Sequence, residues 1–525
     1  MSVTKQEWEA AVDKAFAIQL SQYGVDPKRQ AVSLIDANDG KRVVGHYGET
    51  HLCAALLLRS RRMGVPSYKE KALELFEGVL AHWDFDAKFR QAHNDFNNFA
   101  LALFYEELRA QGEDKLAERA MKRLLTSKDS LNKTVNWLPM RVYARLLCYE
   151  YSNDPKFLQI AVDALEVVKS AQYADGMFDD LLPRGMSFNL QYCVSTAAVL
   201  RLAARRFAAF SDRLPAIDLA STARALYGAI FPDGDVDYMG RGCNQIFAWG
   251  PWLYFAENFV EPELKERAFQ FLAERFPTAL DARSLMLNAY PGKDRALWWD
   301  YHHFSVYLSH LLLWNELAAR AAEDASERVE AVPPSDSGLR VYRTGSAFAS
   351  FFAGREHYLV EKGPALVGLW TKKYGAVFKC GHGPAAKMFS ERNFNPLTAY
   401  FDHFGLIELT ERPRRIKVPF ARRLCAKLTS RANSLTVKPL FFEFSAGARD
   451  GALELRLQAR KRGRGGERRF VFPTFSREAA ENAVLYAGAK ESALRYLGTV
   501  PSQYGEIFLY MSDAADADEW RLIVR

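Results

Sequence analysis

Six short clusters of histidine, asparagine, tyrosine, arginine and tryptophan recur between Gly45 and His303. The first three read Gly45-His46-Tyr47-Gly48-Glu49-Thr50-His51, His93-Asn94-Asp95-Phe96-Asn97-Asn98 and Thr134-Val135-Asn136-Trp137. The others read Ser187-Phe188-Asn189-Leu190-Gln191-Tyr192, Arg241-Gly242-Cys243-Asn244-Gln245 and Trp298-Trp299-Asp300-Tyr301-His302-His303. Imidazole and phenol groups move protons, amides and guanidiniums neutralise a developing negative charge, and indole faces stack on other rings. Other chemistries find no foothold, since no GxSxG elbow, P-loop or strand-borne GxGxxG occurs. His46 and His51 stand five apart, not the four of a helical zinc pair, and adjacent His302 and His303 diverge by about 100° on a helix. No metal is expected there.

The clusters need elements to carry them. From His46 through His93, Asn136, Phe188, Cys243 and His302 the steps are 47, 43, 52, 55 and 59 residues, each long enough for one helical hairpin. From Lys5 to about Glu323 apolar residues recur at three- and four-residue spacing. The stretches that follow the clusters (Leu52–Leu58, Phe99–Tyr105, Val142–Leu147, Val194–Leu202) are apolar along their bodies, whereas Tyr68–Trp83 and Asp114–Leu125 carry more charge. A ring of hairpins with alternate helices inside satisfies this pattern and brings the clusters to one mouth. Asn, Asp, Ser and Thr at helix starts are also ordinary N-caps, which accounts for the small polar residues but not for the paired histidines and aromatics. The expectation is an α/α toroid over residues 1–332, short of a full ring. Beyond Val332-Pro333-Pro334-Ser335-Asp336-Ser337-Gly338 short alternating runs take over: Ala347–Phe352, His357–Glu361, Leu366–Trp370, Ala376–Lys379, Leu435–Phe444, Ala452–Ala459 and Ile507–Met511. Residues 338–525 are therefore expected to form an antiparallel β-sandwich, making the chain an α+β multidomain protein.

Composition narrows the classes. Of 525 residues, 49% are apolar and 25% charged, which excludes a disordered or fibrous chain. No run of about 18 apolar residues occurs, so no membrane partner is expected. Met1–Gln19 lacks a secretory pattern, which points to the cytoplasm, or to the periplasm or exterior if a leader has been removed. Cys53, Cys148, Cys193, Cys243, Cys380 and Cys425 form no CxxC pair and read as reduced, mostly buried thiols. Aromatics at 13% suit both a large core and a cleft that stacks sugar rings. The net charge of +7 hides a contrast, because Arg412–Arg469 holds 17 Lys or Arg against 4 Asp or Glu, with Lys461-Arg462-Gly463-Arg464 as a hairpin tip. Such a run is a solvated face or a polyanion footprint. With no nucleic-acid motif beside it, an acidic polysaccharide is expected as the partner rather than nucleic acid; the oligomeric state stays open. The Gly-rich loops Lys379–Pro384 and Arg392–Pro396 are candidates to reach over the mouth, with Arg392 as a substrate contact.

A helical ring followed by a β-sandwich resembles the polysaccharide lyases of the heparinase II/III and chondroitin AC/hyaluronate lyase type. Asn97 and Asn98, or alternatively Asn136-Trp137, resemble the family's asparagine that grips a uronate carboxylate. Asp175-Gly176-Met177-Phe178, followed by Phe188–Tyr192, resembles its Asp-Gly-x-Phe segment leading to a catalytic tyrosine. Tyr238-Met239-Gly240-Arg241-Gly242 resembles the segment that supplies a substrate-binding arginine. Where hyaluronate lyases have a histidine after Asp-Gly-x-Phe, this chain has Asp179-Asp180, nearer the heparinase-like version. The resemblance implies β-elimination on a uronate polymer with no cofactor. Tyr192 would act as base and acid, with His302 or His303 as partner. Asn97, Asn98 and Arg241 would hold the carboxylate; Trp137, Trp249 and Trp299 would form platforms; and Asn136, Gln191, Asn244, Tyr301, His46 and His93 would complete the cleft. A free tyrosine ionises near pH 10, so a nearby cation would be needed to favour its phenolate.

Two other functions fit parts of the pattern. Asp95 and Asp175–Asp180 resemble the paired acids of toroidal glycosidases, which work with two carboxyl groups. The basic stretch alone would suit a non-catalytic protein that binds acidic glycans.

Overall fold

The three- and four-residue rhythm winds the first part of the chain into α1 (Lys5–Leu20), α2 (Gly48–Met63), α3 (Pro66–His82), α4 (Asn94–Ala110), α5 (Asp114–Thr126) and α6 (Leu138–Ser152). It continues through α7 (Pro155–Ala171), α8 (Leu190–Arg206), α9 (Leu219–Ala229), α10 (Trp249–Asn258), α11 (Pro262–Asp281) and α12 (Phe304–Ala321). Short strands β1 (Tyr23–Asp26) and β2 (Ala31–Leu34) pair with each other, as do β3 (Phe259–Val260) and β4 (Glu327–Arg328). This computed structural model describes residues 2–26, 31–37, 40–43, 46–82, 93–131, 134–185, 188–239, 243–287, 303–322, 327–352, 365–379, 405–413, 433–439, 442–449, 452–459, 467–502 and 504–525. By internal packing the chain divides into two units, Met1–Ser337 and Gly338–Arg525.

In the first unit the even-numbered helices form a closed ring. Helix α2 packs on α4, α4 on α6, α6 on α8, α8 on α10, α10 on α12, and α12 back on α2. The odd-numbered helices lie outside, each against an even-numbered partner. The expected gap in the ring is thus corrected. Helix α1, which carries no cluster of its own, supplies the outer partner of α12, so the final hairpin is completed from the start of the chain. Burial separates the two layers as the patterning requires. Helix α2 is buried continuously from Gly48 to Ser60, whereas α5 buries only Ala117, Ala120, Met121 and Leu124. Among the described residues no helix is long and apolar enough to cross a membrane.

The second unit is built from antiparallel sheets. Strands β5 (Leu339–Arg343), β6 (Ala347–Phe352), β7 (Ala365–Thr371) and β8 (Gly375–Lys379) form one sheet in sequence order. Strands β9 (Gly405–Pro413), β10 (Asn433–Pro439), β13 (Glu467–Thr474), β16 (Leu494–Ser502) and β17 (Gly505–Ser512) form a second, ordered β10-β9-β13-β17-β16. Strands β11 (Phe442–Arg449), β12 (Ala452–Ala459), β14 (Ala483–Ala487), β15 (Lys490–Ser492) and β18 (Glu519–Val524) form the third, ordered β11-β12-β18-β14-β15. A short helix, α13 (Arg477–Glu481), follows β13. Alternation buries Leu453, Leu455 and Leu457 on β12 and Trp520, Leu522 and Val524 on β18. Phe470 of β13 stacks with Trp520 of β18 at 6.5 Å, joining the two five-stranded sheets.

The run Leu435–Phe444, expected as one strand, is two strands in different sheets, β10 ending at Pro439, which has no amide hydrogen to extend the ladder. His357–Glu361 lies outside the described residues. In the basic stretch, Arg456 pairs with Glu454, Arg468 with Asp518 and Arg469 with Glu467, so these three are held by carboxylates rather than presented as open charge. Its hairpin tip lies outside the described residues.

Candidate active site

Five of the six inner helices begin at one of the clusters, whereas α10 begins at Trp249, a few residues beyond the cluster that ends at Gln245. Capping accounts for only one of these starts. Asn189 accepts the backbone N–H of Tyr192 at the start of α8. Helices α2, α4, α6, α10 and α12 begin at Tyr47, His93, Trp137, Ala248 and His303 with no side-chain cap. The outer helices α1, α7 and α9 do use caps, from Thr4, Asp154 and Asp218.

Four of the expected residues meet in a row. The His303 and His46 rings lie 4.5 Å apart edge to face, His46 stacks on His93 at 4.8 Å, and His93 stacks on Trp137 at 5.4 Å. The row links the starts of α12, α2, α4 and α6, and all four side chains are half-buried. Buried rings back it: Tyr47 stacks on Phe96 at 4.3 Å, and Phe96 meets Trp137 edge-on at 5.2 Å. Among the described residues, no group of three His, Cys, Asp or Glu side chains is arranged to hold a metal ion.

The asparagines divide by how their amides are used. Asn97 donates to the carbonyl oxygens of His93 (3.1 Å) and His46 (3.5 Å), and its own oxygen accepts from the Thr50 hydroxyl (2.9 Å). Both its hydrogens are spent fixing the backbone beneath two of the histidines. Its expected grip on a carboxylate is therefore corrected to a positioning role. Asn98 donates to the Lys128 carbonyl, and its buried oxygen has no partner. Asn136 is 3% exposed, its side-chain oxygen likewise without a partner, while its backbone N–H donates to the Asp180 carboxylate at 3.2 Å. Of the two places considered for a carboxylate-gripping asparagine, Asn136 beside Trp137 has its amide still to spend.

Other expected residues serve the frame. Trp249 is fully buried and stacks on Phe271 of α11 at 5.3 Å, so it is core between an inner and an outer helix and not a platform. Asn244 takes a left-handed conformation (φ 58) and holds its loop through backbone bonds to Asp237 and Leu287. Gln191 and Tyr192 are buried in the first turn of α8. Arg241, His302, Trp299, Tyr301 and Arg392 lie outside the described residues, as do the 380–384 and 392–396 loops.

The acidic residues are also engaged. Asp95 accepts from Arg141 through both oxygens (3.2 and 2.8 Å) and bonds the Ser130 backbone. Burial holds its carboxyl above the usual range, although Arg141 pulls the other way. Asp179 accepts from the Tyr173 hydroxyl and from the N–H groups of Gly185 and Asp180. Asp175 accepts four backbone N–H groups, one from Met177 and three from Ser335, Asp336 and Ser337. Gly176 (φ 90) lies where a side-chain carbon would meet the Ser221–Thr222 backbone at 2.4 Å. The Asp-Gly start of that segment is thus an anchor for the 335–337 strap, needed for its backbone geometry.

A second histidine pair lies deeper in the ring. His51 and His310 are wholly buried, with ring centroids 5.3 Å apart; His51 bonds the Tyr47 carbonyl, and His310 stacks flat on Phe247 at 4.5 Å. The sequence carried no signal for His310 beyond one polar residue inside an apolar helix. Burial drives His51 down to about 3, and burial with His51 alongside drives His310 well below its ordinary value. The unfolded chain therefore protonates first as pH falls. The stability these neutral rings allow is fully present above about pH 6.5 and declines below it, by about 1.4 kcal/mol per pH unit for each histidine. Urea unfolding of His310→Phe between pH 7.5 and 5.5 should show a shallower loss than the parent by about that slope. An unchanged slope would mean that His310 is charged in the folded state.

No protein-family profile matches this sequence, and no curated protein matches it. Among solved structures the chain is similar to a heparan sulfate lyase (HepC mutant) from Pedobacter heparinus, with TM-score 0.45 and 11% identity, covering 100% of this chain and 83% of that one. It is also similar to an inactive variant of the α-1,6-mannanase GH76A of Salegentibacter sp. HEL1_6, with TM-score 0.39, 15% identity, and 59% and 99% covered. A polysaccharide lyase, BACCELL_00875, is similar at TM-score 0.37 and 12% identity, with 61% and 99% covered. Lyases and glycoside hydrolases stand side by side among these likenesses, and at TM-scores below 0.5 none of them bears on the chemistry of this chain.

Proposed function

We propose that the helical unit is a polysaccharide lyase that cleaves a uronate-containing chain by β-elimination, and that the sheets of the second unit form a β-sandwich beside it in the sequence. The observation that carries this reading is the half-buried row His303–His46–His93–Trp137 at uncapped helix starts. Trp137 offers a face for a sugar ring, and the side-chain N–H groups of Asn136 next to it would donate to the uronate carboxylate and stabilise charge as it develops. One basic group of the cluster, with Tyr192 or a histidine in that role, takes the C5 proton. The C5–H electron pair becomes the C4–C5 double bond, the C4–O bond breaks, and a protonated ring returns a proton to the leaving oxygen.

A glycoside hydrolase needs two available carboxyl groups across the cleft. Asp95, bound on both oxygens by Arg141, does not supply one, which leaves that reading resting on Asp179 and Asp180. One assay separates the two. With a panel of uronate polysaccharides, a lyase forms product that absorbs in the ultraviolet through its new double bond, and a hydrolase forms reducing ends without that absorbance. Reducing ends without absorbance would overturn the lyase reading.

A further inference from the structure

Neighbouring members of the row at the mouth are joined by buried polar groups. Between His46 and His93 the tie is Asn97, which donates to both of their backbone carbonyls. Between His303 and His46 it runs through the end of β2, where Asp36 accepts the Ser305 N–H of α12 at 3.1 Å and the Leu34 N–H donates to Glu49 of α2 at 3.0 Å. Between His93 and Trp137 it is an ion pair. Asp95, two residues after His93, meets Arg141, four residues after Trp137, through both carboxylate oxygens, and Arg141 Nη2 also donates to the Ser130 carbonyl at 2.8 Å. Ser130, in the loop before α6, closes the group: its N–H donates to Asp95 at 3.3 Å and its hydroxyl accepts the Asp95 N–H at 3.0 Å.

Stability alone does not call for an ion pair at this junction. Asp95 is fully buried and Arg141 is 12% exposed along its side chain, so both charges give up most of their hydration. Apolar side chains of similar volume often hold two helices as well. Apolar packing does not fix orientation, however, whereas a planar guanidinium on two carboxylate oxygens sets distance and angle together. The orientation at stake is that of two helix starts whose rings stack at 5.4 Å with their planes 27° apart.

We propose that Asp95, Arg141 and Ser130 form a positioning clamp that sets the stack of His93 on Trp137, and through it the place of the sugar ring at the mouth. The part that concerns the sugar rests on the lyase reading; the part that concerns the stack does not. None of the three touches substrate in this scheme. They act through the two rings, by holding the start of α4 and the first turn of α6 in one relative orientation.

The decisive variant is Asp95→Leu/Arg141→Met in the whole chain, which strands no buried charge and should unfold in urea near the midpoint of the parent. With isotope-labelled histidine, the His93 ring resonances, identified by their loss in His93→Gln, report the indole directly, because a proton above an aromatic face is shielded. In the double variant they should move most of the way to their positions in Trp137→Ala, where the indole is gone. Arg141→Lys keeps the charge and gives up the fork, so it should move them part of the way, and it carries the same test if the double variant folds poorly. On an acidic polysaccharide that the parent cleaves, the double variant should lower kcat/KM by up to about a hundredfold, the scale of an ångström's misplacement. Moved resonances with an unchanged rate support the clamp and count against the lyase reading. Parent-like His93 resonances in the folded double variant, or in Arg141→Lys where the double variant does not fold, overturn the clamp whatever the rate.

Discussion

Replacing Arg59 with methionine is expected to destabilise the helical unit by about 3 kcal/mol, the low end for breaking a buried ion pair by removing one partner. Arg59 is fully buried, and its guanidinium holds Glu9 at 2.8 Å, Glu316 at 3.1 Å and Asp13. Those carboxylates come from α1 and α12, and Arg59 itself from α2, so this cluster is the seam where the ring closes. Arg62 also holds Glu316 and Glu9, and the Asn315 amide donates to Glu316, so Glu316 keeps these two partners in the variant and the expected loss stays below the top of the range. Urea unfolding of the parent, Arg59→Met and Arg59→Met/Glu316→Leu checks it. The double variant should recover part of the loss, because no buried carboxylate is then stranded. Arg59→Lys should fall between, since an ammonium cannot serve three carboxylates with a fixed fork. A loss under about 1 kcal/mol would assign ring closure to apolar packing alone.

That seam also shows why the ring read as incomplete in the sequence. Cluster spacing and helical rhythm are local patterns, and both were legible: five clusters stand at inner-helix starts, and the one ending at Gln245 precedes α10 by a few residues. The pairing of α1 with α12 joins residues about 300 positions apart, and nothing local announces a contact of that range. The same limit applied to the side chains. A polar residue at a helix start looks alike whether its amide is free or spent, so Asn97 and Asn136 could not be told apart until the His93 and His46 carbonyls were seen to take both hydrogens of Asn97. Trp249 read as a platform because indole suits either a cleft or a core, and only the stack on Phe271 decides it. Asp175 and Gly176 matched a catalytic segment by type, while their work is to anchor the strap at 335–337. Residue type carries chemistry; what a group is already bonded to decides whether that chemistry is available.

Under the lyase reading, His303→Ala should lower kcat by about a hundredfold or more on an acidic polysaccharide that the parent cleaves, the usual scale for losing a general acid or base. His93→Ala should do the same if the stacked pair shares the proton work, and less if His93 only orients His46. Trp137→Ala should act differently, raising KM by about tenfold with a smaller change in kcat, because a stacking face binds the ground state and the transition state alike. Asn136→Asp puts a negative charge where the uronate carboxylate is to be gripped, so it should lower kcat/KM more than Asn136→Ala does. Asn97→Ala should lower kcat as well, but through the backbone it fixes, and a shift in the pH profile should accompany the loss as the histidines are reset. These effects are read as the rate of ultraviolet-absorbing product. If His303→Ala and Asn136→Asp left that rate within a factor of two while Asp180→Asn abolished cleavage, the row of rings would be a binding face, and the chemistry would belong to the carboxylates between α7 and α8.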